Sequence, residues 1–220
     1  KFEAYSDDGN LKVFFFGNPD KSMMRDIIKG IEARNFNGIE MPEGLYEEVV
    51  DADLIVVHLC PIKRDLFEIA KNLKAVMTCR GGLENIEVDA ATEHKVIVSN
   101  NPAHNANAVA EFTVAMILSE TRNVARSHMA LKNGEWRLEY PNTHTTVKEM
   151  HDLVVGLVGF GSIGRLVAYK LSTFGCKILV ADPFLKECNV DYVTLVSFDE
   201  LLQQSDIVSL HARSNGAIMT

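Results

Sequence analysis

Three glycines at the spacing G-x-G-x-x-G, Gly159, Gly161 and Gly164, sit in the stretch Val158-Gly159-Phe160-Gly161-Ser162-Ile163-Gly164-Arg165. Between a strand and a helix such a triplet suits a pyrophosphate. Gly159 permits the tight turn, Gly161 lets backbone approach the phosphates without a Cβ in the way, and Gly164 lets helix and strand pack closely. The N–H groups opening the helix then face the anion. Glycine triplets also arise by chance in loops, so the flanking sequence decides. The apolar run Leu153–Val158 reads as a strand feeding Gly159, and Ile163, Val167, Leu171 and Phe174 recur at helical spacing. Asp182 follows the next apolar run, Lys177–Ala181, 18 residues beyond Gly164. A carboxylate there accepts the ribose 2′- and 3′-hydroxyls and repels a 2′-phosphate. With no arginine beside it in Asp182-Pro183-Phe184, the pattern favours NAD over NADP. The competing reading is a tight strand–helix turn with an incidental aspartate.

The elements that must carry these residues form two βα series. In the first, Lys12–Phe16 reads as a strand ending at Gly17-Asn18-Pro19. Asp20 then precedes a helix in which Met23, Met24, Ile27, Ile28 and Ile31 repeat. Leu54–Leu59, Ala75–Cys79 and Val96–Val98 read as strands, with helices over 65–72 and 88–93. This rhythm predicts a parallel sheet covered on both faces. After Pro102 a long helix runs to about Lys132, capped by Asn107 with Glu111 in its first turn. Phe112–Leu118 surround its first half with apolar residues, predicting burial on all sides. Residues 141–147 read as a polar loop. The second series has strands at 153–158, 177–181, 193–196 and 207–210, with helices over 163–173 and 199–203. A dinucleotide domain of the usual order has about six strands, so the second domain is expected to be incomplete in this chain.

Composition narrows the partners. The 220 residues are 47% hydrophobic and 24% charged, enough for one or two domains, and the formal net charge is −8. Nucleic acid is not expected, because phosphate binding wants a basic stripe. No apolar run is long enough to cross a bilayer, so no membrane association is expected either. The four scattered cysteines, Cys60, Cys79, Cys176 and Cys188, show no CxxC and read as reduced thiols of a cytoplasmic protein, with no metal site.

Four stretches together resemble the D-isomer-specific 2-hydroxyacid dehydrogenase family, which includes D-3-phosphoglycerate dehydrogenases. They are Cys79-Arg80-Gly81-Gly82-Leu83-Glu84-Asn85-Ile86; Asn101-Pro102-Ala103-His104-Asn105 with Val109-Ala110-Glu111; Leu131-Lys132-Asn133-Gly134-Glu135-Trp136; and Gly156–Gly164 through Asp182 to 206–211. The resemblance implies an α/β fold of two Rossmann-like or flavodoxin-like domains with parallel sheets. A substrate domain would span residues 1–106 and an NAD-binding domain residues 107–220, the active site lying between them. It implies NAD-dependent interconversion of a D-2-hydroxy acid and a 2-keto acid. Backbone at Gly81 and Gly82 would hold the substrate carboxylate, with Gly81 also near the nicotinamide. Asn105 would edge the substrate pocket, Ser162 and Ile163 would meet the pyrophosphate, and Ala212 would border the adenosine. A plain strand-to-helix turn at Gly81-Gly82, and a capping role for Asn105, stand as alternatives.

The family's catalytic arginine, acid and histidine would lie beyond Thr220, so no catalytic residue is assigned; Arg80, His104, His211 and Arg213 do not sit at matching positions. Ala212-Arg213-Ser214 replaces the usual H-x-P and leaves the adenosine-side loop open. Lys63, Arg64 and Arg80 could meet a second anionic group of the substrate, or form a solvated basic edge. The resemblance also implies a homodimer paired through the long helix. An NAD-sensing, non-catalytic protein of the corepressor type shares the fold and is the alternative function.

Overall fold

The computed structural model describes residues 11–140 and 149–212. The chain divides into two compact units, Lys1–His104 and Asn105–Thr220.

In the first unit, α1 (Lys21–Glu32) starts where Asp20 accepts the backbone N–H groups of Ser22 and Met23 at 2.7 and 3.0 Å. These bonds satisfy orphan donors of the first turn and hold the Asp20 carboxyl below its ordinary range. There follow α2 (Leu45–Glu48) with a 3₁₀ turn (Val49–Asp51), β1 (Leu54–Val57), α3 (Arg64–Ile69), β2 (Ala75–Thr78), α4 (Val88–Glu93) and β3 (Ile97–Ser99). The three strands are parallel in the order β1-β2-β3, with Leu54 opposite Ala75 and Ala75 opposite Ile97. Val57, Val76, Leu66, Phe67, Ile86 and Ala90 form the core between the sheet and α3 and α4.

Two expectations fail here. Lys12–Phe16 forms no strand, and Val13 and Phe15 are exposed. Aromatic and β-branched content favours a pleated, packed site, but a strand exists only through pairing, and this run has none among the described residues. Among the described residues the sheet is also covered on one face only: Leu54, Val56, Met77 and Ile97 lie exposed on the other.

The second unit contains α5 (Ala106–Thr121), α6 (Val124–Lys132), β4 (Val154–Val158), α7 (Ser162–Ser172), β5 (Lys177–Ala181), β6 (Thr194–Leu195), α8 (Phe198–Gln204) and β7 (Ile207–Leu210). Its four strands are parallel in the order β6-β5-β4-β7, so β4, which feeds the glycine turn, lies inside the sheet. Val155, Leu157, Ile178 and Val180 pack against Val167, Ala168 and Leu171 of α7, while Ala110 and Ile117 of α5 close the same core. A complete capping box opens α8, Ser197 and Glu200 each bonding the other's backbone.

The long helix departs from its reading in three ways. It is broken, because Asn123 adopts a left-handed conformation with φ 55°, which asparagine tolerates better than most residues. Asn105, not Asn107, precedes it; the Asn107 amide donates instead to Glu111 Oε1 at 2.8 Å within the helix. Its first half is not buried all round: Phe112 is 67% and Met116 52% exposed, whereas Ala110 and Ile117 are buried. An apolar run without periodicity does not say which face meets the core. The expected loop at 141–147, and Arg213, lie outside the described residues.

Candidate functional site

The second unit brings the glycine turn, Asp182 and Ala212 together. β4 carries Val155 and Leu157 fully buried, which fixes where the chain leaves the sheet at Gly159. Gly159 has φ +95°, and a Cβ there would lie 2.9 Å from Ala212 N and from the His211 carbonyl carbon. The turn is therefore pressed against the end of β7, and only glycine fits. At Gly164 a Cβ would run into the Gly159 carbonyl oxygen, the close helix–strand contact expected of the third glycine. Gly161 is the opposite case. Among the described residues nothing lies within 4 Å of the position its Cβ would take, so its backbone fronts open space there.

That open space lies at the start of α7. Gly161 precedes the helix, no side chain caps it, and its first turn, opening with Ser162 and Ile163, holds no acid. The helix start thus presents backbone donors and the positive end of its dipole. Arg165 sits in this first turn with its guanidinium 4.5 Å from the centre of the Phe160 ring. A cation at a helix start opposes the dipole, and an anion in front of the turn would reverse that cost. The cradle fits a pyrophosphate in charge and in shape.

Asp182 closes the other side. Its Oδ2 accepts the Phe160 N–H at 2.8 Å and its Oδ1 accepts the Phe184 N–H at 2.9 Å. Each carboxylate oxygen has a further lone pair, so hydroxyl donors can still be received. Phe184 is 89% exposed next to it. His211, at the end of β7, donates its backbone N–H to Val158 O at 2.7 Å. Its ring Nε2 lies 3.0 Å from Ser209 Oγ, and burial pushes its pKa down, favouring the neutral imidazole. The sequence reading missed Arg165 and the Phe160 N–H. A basic residue in the first turn of a helix with no acid nearby was the available signal for Arg165; the Phe160 bond left none.

In the first unit, Gly81 and Gly82 turn the chain after β2. The Asn100 side chain donates to Gly81 O at 2.8 Å, and the Asn101 N–H donates to Arg80 O at 2.9 Å, lacing the turn to the segment after β3. Gly81 lies beside the His104 ring: its Cβ would be 3.7 Å from His104 Nδ1. The Glu84 carboxylate fills the space a Cβ of Gly82 would take. Buried Asn85 anchors the turn from below, donating to Cys60 O at 3.2 Å. Asn105 is the first residue of the second unit; its carbonyl accepts the Val109 N–H and its side chain makes no capping bond. The capping role weighed for it is therefore absent.

The three cations of the suggested basic edge are all paired. Lys63 lies 3.7 Å from Asp65, Arg64 grips Glu93 through both terminal nitrogens, and Arg80 Nη2 stands 3.9 Å from Glu32 and 4.0 Å from Glu84. All four cysteines are free thiols, and burial pushes Cys60 up to about 12. Among the described residues no cluster suits a metal ion, and no helix is long and apolar enough to cross a membrane.

Residues 114–218 match the family model described as D-isomer specific 2-hydroxyacid dehydrogenase, NAD binding domain. Hydroxypyruvate reductase of Thermotoga maritima is 35% identical over 168 residues, 76% of this chain and 53% of that protein. D-3-phosphoglycerate dehydrogenase of Methanocaldococcus jannaschii is 33% identical over 174 residues, 77% of this chain and 32% of that protein. D-lactate dehydrogenase from Aquifex aeolicus, solved with NAD and lactic acid, superposes with a TM-score of 0.66 at 29% identity, covering 76% of this chain and 50% of that one. An acyclic imino acid reductase solved with NADPH and D-Arg superposes with a TM-score of 0.65 at 27% identity, covering 79% and 55%. The chain thus spans about half the length, or less, of the relatives it matches. With the glycine turn and Asp182 at the strand ends of one parallel sheet and an uncapped helix following the turn, residues 114–218 belong to the family of D-isomer specific 2-hydroxyacid dehydrogenase NAD binding domains.

Proposed function

We propose that the second unit binds NAD, in preference to NADP, and that the chain serves an oxidoreductase interconverting a D-2-hydroxy acid and its 2-keto acid. The observation that carries this reading is the open backbone of Gly161 at the uncapped start of α7, flanked by Asp182. Bound nicotinamide supplies or accepts the hydride. The N–H groups of Ser162 and Ile163 hold the pyrophosphate, the Asp182 carboxylate receives the ribose hydroxyls, and Ala212 borders the adenosine side. In the first unit the turn at Gly81 and Gly82 holds the substrate carboxylate against backbone N–H groups, which orients the reacting carbon.

The substrate domain is the first unit, the cofactor domain the second, and the working assembly a homodimer that covers Phe112 and Met116 of α5. A phosphoglycerate-type substrate is one member of this class. Titrating the chain with NADH and NADPH by calorimetry tests the reading. NADH is expected to bind at least tenfold more tightly; a preference for NADPH, or no binding of either, overturns it.

A further inference from the structure

His104 is an ionisable side chain that none of the roles above uses. Its ring packs beside Gly81, 3.7 Å from where a Cβ would stand, and its Nδ1 lies 3.1 Å from the Asn101 carbonyl oxygen. A carbonyl only accepts, so Nδ1 carries the hydrogen and Nε2 is the ring nitrogen left for another partner. The ring is held there by its neighbours. Ala103 sits in the left-handed region at φ 62°, where a side chain is strained, and strained residues persist where surrounding structure requires them. The bonds from Asn100 to Gly81 and from Asn101 to Arg80 fix the segment that carries His104 onto the glycine turn.

Arg80 Nη2 stands 3.9 Å from Glu32 of α1 and 4.0 Å from Glu84, whose carboxylate lies against Gly82. The imidazole stands on the Gly81 side and is exposed to solvent.

We propose that His104 is a binding residue for the carboxylate of the small acid at the Gly81-Gly82 turn, with Nε2–H donating to it when the ring is protonated. This rests on the reading that the turn holds a substrate carboxylate, and the test separates the two. The 220-residue chain, saturated with NADH, is titrated with pyruvate and with glyoxylate by NMR, following the Gly81 and Gly82 amides and the His104 ring protons, the latter identified by their loss in His104→Gln. Both sets of signals are expected to shift. His104→Ala should weaken binding roughly fivefold, the size of one lost hydrogen bond. His104→Gln, a neutral donor, should restore part of the affinity. Amide shifts with an unmoved His104 ring, or unchanged affinity in His104→Ala, overturn the inference while the carboxylate reading stands. No shift at Gly81 and Gly82 with either acid overturns both.

Discussion

The Asp182 carboxylate accepts the Phe160 backbone N–H at 2.8 Å and so joins the end of β5 to the middle of the glycine turn. The residue read as a ribose acceptor is therefore also a structural tie, because its second oxygen takes the Phe184 N–H at 2.9 Å. Losing it should disturb the turn and the cofactor together. Asp182→Ala is expected to weaken NADH binding by about tenfold to a hundredfold, the usual cost of a hydrogen bond to a charged group. NADPH binding should weaken less, since the repulsion of a 2′-phosphate disappears with the carboxylate. Calorimetry with both cofactors checks this; equal losses for the two would contradict it.

The glycines of the turn should separate by phenotype. Gly161→Ala places a methyl group in open space at an ordinary φ of −76°, so the melting temperature should hold while NADH affinity falls at least about tenfold. Gly164→Ala drives a methyl group into the Gly159 carbonyl and should cost about 1–3 kcal/mol of stability, as overpacking does. Thermal denaturation and NADH titration on the same two variants decide the matter.

Ala103 at φ 62° should be relieved by glycine. Ala103→Gly is expected to stabilise the first unit by about 1 kcal/mol, the left-handed penalty offset in part by the greater freedom of glycine in the unfolded chain. Urea denaturation measures it, and a loss of stability would contradict the strain.

His211 sets a pH dependence for the second unit. Burial lowers its folded-state pKa below the ordinary 6.5, so the unfolded chain binds the proton more readily. Its contribution to stability is therefore present above pH 6.5 and lost as pH falls through that value towards the folded pKa. His211→Gln should flatten the stability profile below that point, as chemical denaturation across the pH range would show.

The sequence disclosed most where the constraint is local. Gly159, Gly161 and Gly164 each answer to backbone within a few residues or to the adjoining strand end, so their types alone described the turn. The helices after Asp20 and Gly161, and the strands at 177–181 and 207–210, were legible because period and capping are written in consecutive residues. What stayed hidden depends on partners distant in sequence. Lys12–Phe16 has strand composition, but pairing decides, and it has none among the described residues. The break at Asn123 turns on one backbone conformation inside an otherwise helical pattern. The Phe160–Asp182 bond spans 22 residues. Neither Glu84 over Gly82 nor His104 beside Gly81 leaves a trace in spacing, because side-chain placement at a turn follows the loops that meet there.

Amide NMR of the full chain during an NAD titration tests whether NAD lies with its pyrophosphate on the glycine turn. The Gly161, Ser162 and Ile163 amides are expected to shift first and furthest, with Phe160 following as the Asp182 carboxylate takes up the ribose. Saturable NAD binding that leaves these amides unmoved while signals elsewhere shift would contradict it.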